Sequence, residues 1–245
     1  MNVLLLRLAG PLQSWGTASR HMTRSTLTTP TKSGVIGLLA AAQGRPRGAD
    51  LSDLAALRFG VRVDQPGRLL IDYHTVSAAS RSAVPSEQRL PTAAGASLRP
   101  RDSTKVTRRH YLADAVFVAA LEGGDDLAAL ADALRSPRHP LYLGRRSCPP
   151  SRPVFMDLVR SSTLETALAE AEWQAGPAER RRRKDETRVT CPVVLDSDSG
   201  GDPVTDVPLP AAAYARRFGE RLVRQYSIDL PPTAAEPHDP MDLLE

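Results

Sequence analysis

At 245 residues with 41% apolar composition, the chain is long enough to bury a sizeable core as one large domain or two smaller ones. Its net charge of +4 is modest, yet only Lys32, Lys105 and Lys184 among 32 basic residues are lysines. The positive charge is therefore almost all guanidinium, a planar fork suited to phosphate and to stacking on bases, although a genomic preference for Arg gives the same count. Two cysteines, Cys148 and Cys191, exclude a disulfide framework and a cysteine metal site. No stretch reaches the roughly 18 apolar residues of a membrane span and no signal-peptide order opens the chain, so a cytoplasmic protein with reduced thiols is expected.

In chain order, "NVLLLRLA" at 2–9 reads as a buried strand ended by Gly10-Pro11. The stretch "TPTKSGVIGLLAA" at 29–41 is a turn running into an apolar helix, with Thr29 or Thr31 as cap and Val35, Leu39 and Ala42 on one face. A phosphate-binding loop of the G-x-x-x-x-G-K-[ST] type is excluded, because Gly follows the Lys-Ser pair. What remains is a helix N-terminus flanked by Lys32, Ser33 and Arg24, able to seat one phosphate or simply well capped. Phe59, Val61 and Val63 alternate with other residues, as do Leu69, Ile71 and Tyr73. The "DQPG" link predicts that these two strands form a hairpin.

Residues 77–109 lose apolar periodicity, and a loop that long is functional or disordered. "HYLADAVFVAALEGG" is a strand, and "DDLAALADALRS" a helix burying Leu127, Leu130, Ala131 and Leu134 behind a cap at Asp125 or Asp126. "STLETALAEAEW" is a third helix, with Ser162 and Glu165 at capping-box spacing. The order matches the split βαβ pattern of ferredoxin-like and RNA-recognition domains. Further on, "RVTCPVVLD" is a strand, "AYARRFGERLVRQYSIDL" is helix or strand, and "PPTAAEPHDPMDLLE" is expected to be a disordered tail.

Three constellations could carry chemistry. "GRRSCP" at 144–149 can wrap backbone N–H groups and two guanidinium forks around a sugar-phosphate chain, or be an exposed basic turn. The insertion holds Arg89, Arg99, Arg101, Lys105, Arg108 and Arg109, enough to screen several phosphates or to make a solvated loop. "ERRRRKDETR" at 179–188, interrupted by acids, reads as a solvated connector. No histidine has metal-ligand spacing. His110 beside Tyr111, downstream of Lys105, could support metal-free RNA cleavage or merely start a strand. Trp15 and Tyr142 could stack on bases or pack in the core.

Together, "LRLAGPLQSWG", "PTKSGVIGLLAAA", "DSTKVTRRHYLADAVF" and "LYLGRRSCPP", in this order over residues 5–150, resemble the CasD family of the type I-E CRISPR Cascade complex, within the RAMP superfamily. The resemblance implies an α+β fold: a ferredoxin-like, RRM-like RAMP domain over 1–150 with an extended β-hairpin thumb at about 78–109. A smaller β-rich C-terminal portion over 151–230 and the tail at 231–245 follow. It implies a non-catalytic subunit, without cofactor or metal, that holds the 5′ handle of the CRISPR RNA. Such a subunit lies beside the CasC backbone and the large CasA subunit and meets target DNA only through the complex. Lys32 and Ser33 take the place of the family's basic-Ser pair, and Gly144, Arg145, Arg146 and Ser147 that of its glycine-containing loop. The RNA-binding set expected is these six with Arg24, Arg99, Arg101, Lys105, Arg108 and Arg109. The alternatives are a metal-independent endoribonuclease, as CasD-like proteins of the I-C system are, and a scaffold that touches RNA little.

Overall fold

Both faces of "VLLLRLA" are apolar except at Arg7, and this stretch forms β1 (Val3–Ala9), an interior strand of the principal sheet. The structure is a computed structural model describing residues 1–16, 22–77, 95, 104–124, 126–210 and 217–232. Two short strands, β2 (Leu12–Gln13) and β3 (Thr23–Arg24), precede α1 (Lys32–Gln43). The Thr31 hydroxyl caps α1 by accepting the Gly34 N–H at 3.2 Å, and left-handed Gly44 ends it. Next come α2 (Ser52–Ala55), β4 (Arg58–Gln65), β5 (Arg68–Ser77), β6 (Thr104–Ala113), β7 (Val116–Glu122) and α3 (Leu127–Arg135). The chain continues through β8 (Phe155–Val159), α4 (Leu164–Glu170), α5 (Pro177–Arg182), β9 (Val189–Asp196), β10 (Asp202–Leu209) and β11 (Arg217–Leu230). Among the described residues no helix is long and apolar enough to cross a membrane.

Seven strands form one antiparallel sheet in the order β10-β11-β9-β4-β7-β1-β8. Its β4-β7-β1-β8 portion, with α1 and α3 in the two crossovers, has the split βαβ order anticipated above. Leu4, Leu6 and Leu8 pack against α1 and α3 on one face, and Val3 and Leu5 against Leu164, Ala167 and Leu168 of α4 on the other. The four apolar residues foreseen on α3 are the ones it buries.

On that second face Arg62 is fully buried, and all five of its N–H groups are used. Nε and Nη2 meet Asp64 at 2.6 and 2.9 Å, while Nη1 and Nη2 donate to the carbonyls of Leu168, Ala171 and Glu172 at the end of α4. A charge this deep is tolerable only because nothing on it is left unpaired.

Several expectations are corrected. β4 and β5 do not pair: β4 lies between β7 and β9, whereas β5 runs along β6 in a second sheet. β4 is buried on both faces and belongs in a sheet interior, while β5 leaves Leu69, Ile71 and Tyr73 exposed at 61, 55 and 63%. The second sheet takes β2 and β3 on the other flank of β6. Residues 104–109, expected in the loop of the insertion, are strand; residues 78–94 and 96–103 lie outside the described residues.

The cap of α4 is Thr163, accepting the Thr166 N–H at 3.3 Å, rather than Ser162. Asp126 occupies the cap position of α3 without a side-chain hydrogen bond, and Asp125 lies outside the described residues. The ambiguous C-terminal segment is strand β11. Part of the connector at 179–188 is α5, where Glu179 is buried and bonded to Arg182 and Arg183. Beyond residue 150, β8, β9, β10 and β11 join the sheet that contains β1. Of the tail expected at 231–245, residues 233–245 lie outside the described residues.

Candidate nucleic-acid interface

The start of α1 is not open to a ligand. Asp206 of β10 accepts the Lys32 backbone N–H at 2.8 Å, so this chain's own carboxylate sits at the helix N-terminus. The Lys32 side chain is buried with Nζ 3.1 Å from Asp196, which also accepts the Phe59 N–H at 2.9 Å. Arg221 of β11 closes the cluster, meeting Asp206 through Nε at 2.6 Å and Nη2 at 3.0 Å and Asp196 through Nη1. Burial alone would lower the Arg221 pKa, but the two carboxylates raise it. Lys32, expected among the phosphate-binding cations, is thus buried and paired with Asp196 in this structure. Ser33, half-buried, bonds the Thr31 hydroxyl at 3.5 Å.

A different set of cations converges where β3, β6 and the 144–147 turn meet. Gly144 makes this approach possible: its φ is +84°, and a Cβ there would fall 1.8 Å from the Ser14 carbonyl oxygen. Bonds from the Leu143 N–H to the Cys148 carbonyl (2.7 Å) and from the Cys148 N–H to the Arg145 carbonyl (2.9 Å) close the turn, leaving Arg146 and Ser147 exposed at its tip. Arg145 folds back, with its guanidinium 4.8 Å from the centre of the Tyr111 ring and Nη2 donating to the Arg24 carbonyl at 2.9 Å. Its Nη1 is buried and has no hydrogen-bond partner among the described residues. Tyr111 is buried beneath it, with its hydroxyl 3.5 Å from Ser147 Oγ.

β3 pairs with β6 in parallel, setting Arg24 opposite Arg109. Opposed residues share a face, and Tyr111, two residues beyond Arg109, lies on that face too. One side of this small sheet thus gathers Arg24, Arg109 and Arg145 around Tyr111, with Arg146 at the rim. Arg108 and His110 belong to the opposite side, where Arg108 is paired with the exposed Tyr73. Sequence reasoning noted the alternation of Tyr73 with Leu69 and Ile71 but did not single it out as a surface aromatic.

The remaining candidates divide further. Arg89, Arg99 and Arg101 lie outside the described residues, and Lys105 is placed only as a backbone position of β6. Trp15 is core, its Nε1 donating to Gln13 at 3.0 Å, and Tyr142 is half-buried. His110 and Tyr111 are consecutive in a strand and face opposite sides, so they do not converge on one phosphodiester. Both cysteines are buried, which pushes the Cys148 thiol up and, with the Asp64 charge, the Cys191 thiol up to about 12. Among the described residues no three His, Cys, Asp or Glu side chains form a metal cluster.

The family described as CRISPR-associated protein (Cas_Cas5) matches residues 3–224. The CRISPR system Cascade subunit CasD of Escherichia coli (strain K12) is 37% identical over 185 residues, covering 69% of this chain and 76% of that protein. A chain of a solved CRISPR RNA-guided surveillance complex superposes with a TM-score of 0.77 at 37% identity, covering 94% of this chain and 91% of that one. A crystal structure of a Cas protein gives 0.67 at 39% identity, covering 94% and 95%.

Proposed function

The chain belongs to the CRISPR-associated Cas5 family, and we propose that it is a non-catalytic, RNA-binding subunit of a Cascade-type surveillance complex that holds the 5′ handle of the CRISPR RNA. In this reading it abuts a CasC backbone subunit and the CasA large subunit and meets target DNA only through the assembly. The observation that carries it is the turn at Gly144: a buried guanidinium N–H of Arg145 without a partner, beside Arg146, Arg24 and Arg109. An unpartnered buried donor is costly, and a phosphate or base-edge oxygen would satisfy it. The neighbouring cations suit a splayed single strand, and Tyr73 beside Arg108 offers an exposed ring for a base on the other face of the hairpin. Lys32 takes no part, and Ser33 is left as a helix-start residue.

The test is handle-RNA binding as a function of salt for wild type and for Arg145→Ala with Arg146→Ala. Loss of two phosphate contacts lowers the slope of log K against log salt by about 1.4. An unchanged affinity and slope would overturn the assignment. The opposite facing of His110 and Tyr111 on β6 weighs against the endoribonuclease reading; a discrete cut of repeat RNA in EDTA, lost in Tyr111→Phe or His110→Ala, would favour it over the present proposal.

A further inference from the structure

β11 ends at Leu230, which packs on Trp173 and Ala175. The same short segment is held by arginines. Arg180 donates to the carbonyls of Ala175 and Trp173, both at 2.8 Å, and Arg7 donates to the Gln174 side chain at 2.8 Å. Arg152 stands close enough that its charge, after burial, lowers the pKa of Arg7, as Arg180 does more weakly, with Glu172 offsetting part of the effect. Like charges gathered so closely raise one another's energy, and an anion relieves them. Arg152 also lines an open groove of about 440 Å³ with Pro137, Leu141, Pro153 and Phe155, where the exposed Arg135 guanidinium, bonded through Nη1 to Asp132 at 2.7 Å, lies 4.0 Å above the Phe155 ring. The point where β11 ends therefore adjoins a basic strip that leads into an apolar groove with arginines on its rim.

The sequence that follows is complementary. Residues 233–245 contain Glu236, Asp239, Asp242 and Glu245 and no Lys or Arg, with Met241, Leu243 and Leu244 among the last acids. The acids recur every third residue, the repeat of a polyproline II strand, so an extended bound form carries all four on one edge. Thirteen residues reach at most about 45 Å, several strand spacings across the sheet. We propose that the acidic segment 233–245 docks in cis along Arg152 and Arg135, seating its Met and Leu side chains in the Pro137–Leu141–Phe155 groove. This surface is separate from the Arg145 turn and does not depend on the RNA reading.

The experiment uses the full chain and chymotrypsin, following cleavage after Leu243 by intact mass at low salt, each rate divided by that of a free peptide of the same C-terminal sequence. Docking slows cleavage of the wild type about threefold or more relative to Arg135→Glu with Arg152→Glu, as two modest exposed ion pairs would. Adding 0.5 M salt should bring the two rates together, and a circular-dichroism melt confirms that the variant is folded. A second variant approaches from the other side: Asp239→Lys with Asp242→Lys leaves the groove untouched and should cleave at the unprotected rate. Equal rates in all chains would overturn the proposal. So would protection that grows with protein concentration alongside a dimer in light scattering, which would assign the segment to a second copy. Handle-RNA binding measured on the same variants should be unchanged, so failure here and failure of the RNA reading are distinguishable.

Discussion

Replacing Asp206 by Ala separates two readings of the α1 N-terminus. In the folded chain Asp206 is buried and serves three donors: the Lys32 N–H at 2.8 Å and Arg221 Nε and Nη2 at 2.6 and 3.0 Å. Its loss leaves Arg221, itself mostly buried, held only by Asp196, and leaves the first N–H of α1 without an acceptor. Breaking a buried pair of this kind costs about 3–5 kcal/mol. For a chain of this size that is a fall in Tm of about 6–20 °C, measurable by calorimetry or a circular-dichroism melt. Adding Arg221→Met removes the stranded charge, so the double variant should lose less than the sum of the two single variants. Handle-RNA affinity per folded molecule should not change. A Tm within 2 °C of wild type would refute the energetic argument. Tighter RNA binding by Asp206→Ala would refute the structural one, because it would mean that this carboxylate competes with a phosphate for the helix start.

Gly144→Ala should disturb the interface without removing a cation. The left-handed φ costs a non-glycine residue about 1–2 kcal/mol, and the Cβ must also push the turn away from the Ser14 carbonyl. Handle binding should weaken and its salt slope should flatten, as if Arg145 had been removed; a wild-type slope would count against the turn. Acid should act through Glu165, which lies between Arg58 and Arg224 at the start of α4. Partial burial disfavours its charged form, but its own N–H, Arg58, Thr163 and Arg224 together hold the carboxyl below the ordinary glutamate range. A lowered folded pKa contributes stability above the unfolded value of about 4.3, and that stability is lost as pH falls through the folded value. Melts from pH 7 to pH 3 should therefore show wild type above Glu165→Gln at neutral pH and the gap closing in acid. A gap that widens in acid would contradict the assignment.

The parts of the fold that were legible in advance are those determined by local periodicity. α3 buries the four residues that its helical spacing selects, and β1 lies in the sheet interior because it is apolar on both faces. Alternation told which residues of a strand share a face but not which strand lies beside it. That is why β4 and β5 were joined across "DQPG" although one sits in the main sheet and the other in the hairpin. The same limit hid Tyr73, since nothing local distinguishes an apolar strand edge that is buried from one that is left exposed. Lys32 illustrates the longest reach: its fate is decided by Asp206, 174 residues away, and no signal around "PTKSG" announces that carboxylate. The glycine turn was readable because backbone geometry itself requires Gly144, whereas the Arg145–Tyr111 stack depends on strand pairings far apart in sequence.

Counting arginines therefore overstates the surface that this chain can present to RNA. Arg62 and Arg221, with Lys32, are committed to buried carboxylates and carbonyls, and they hold α4, α1 and the last three strands on one sheet. Guanidinium suits that role for the same reason that it suits phosphate: a fixed fork satisfies several acceptors at once. What distinguishes a binding arginine is an unfilled donor at an accessible rim. Among the described residues Arg58 Nε and Arg145 Nη1 are buried donors left unpaired, and of the two Arg145 sits in the exposed turn at Gly144 that the proposed RNA reading rests on. The proposed interface thus rests less on where positive charge is dense than on where the fold leaves one of its forks incompletely used.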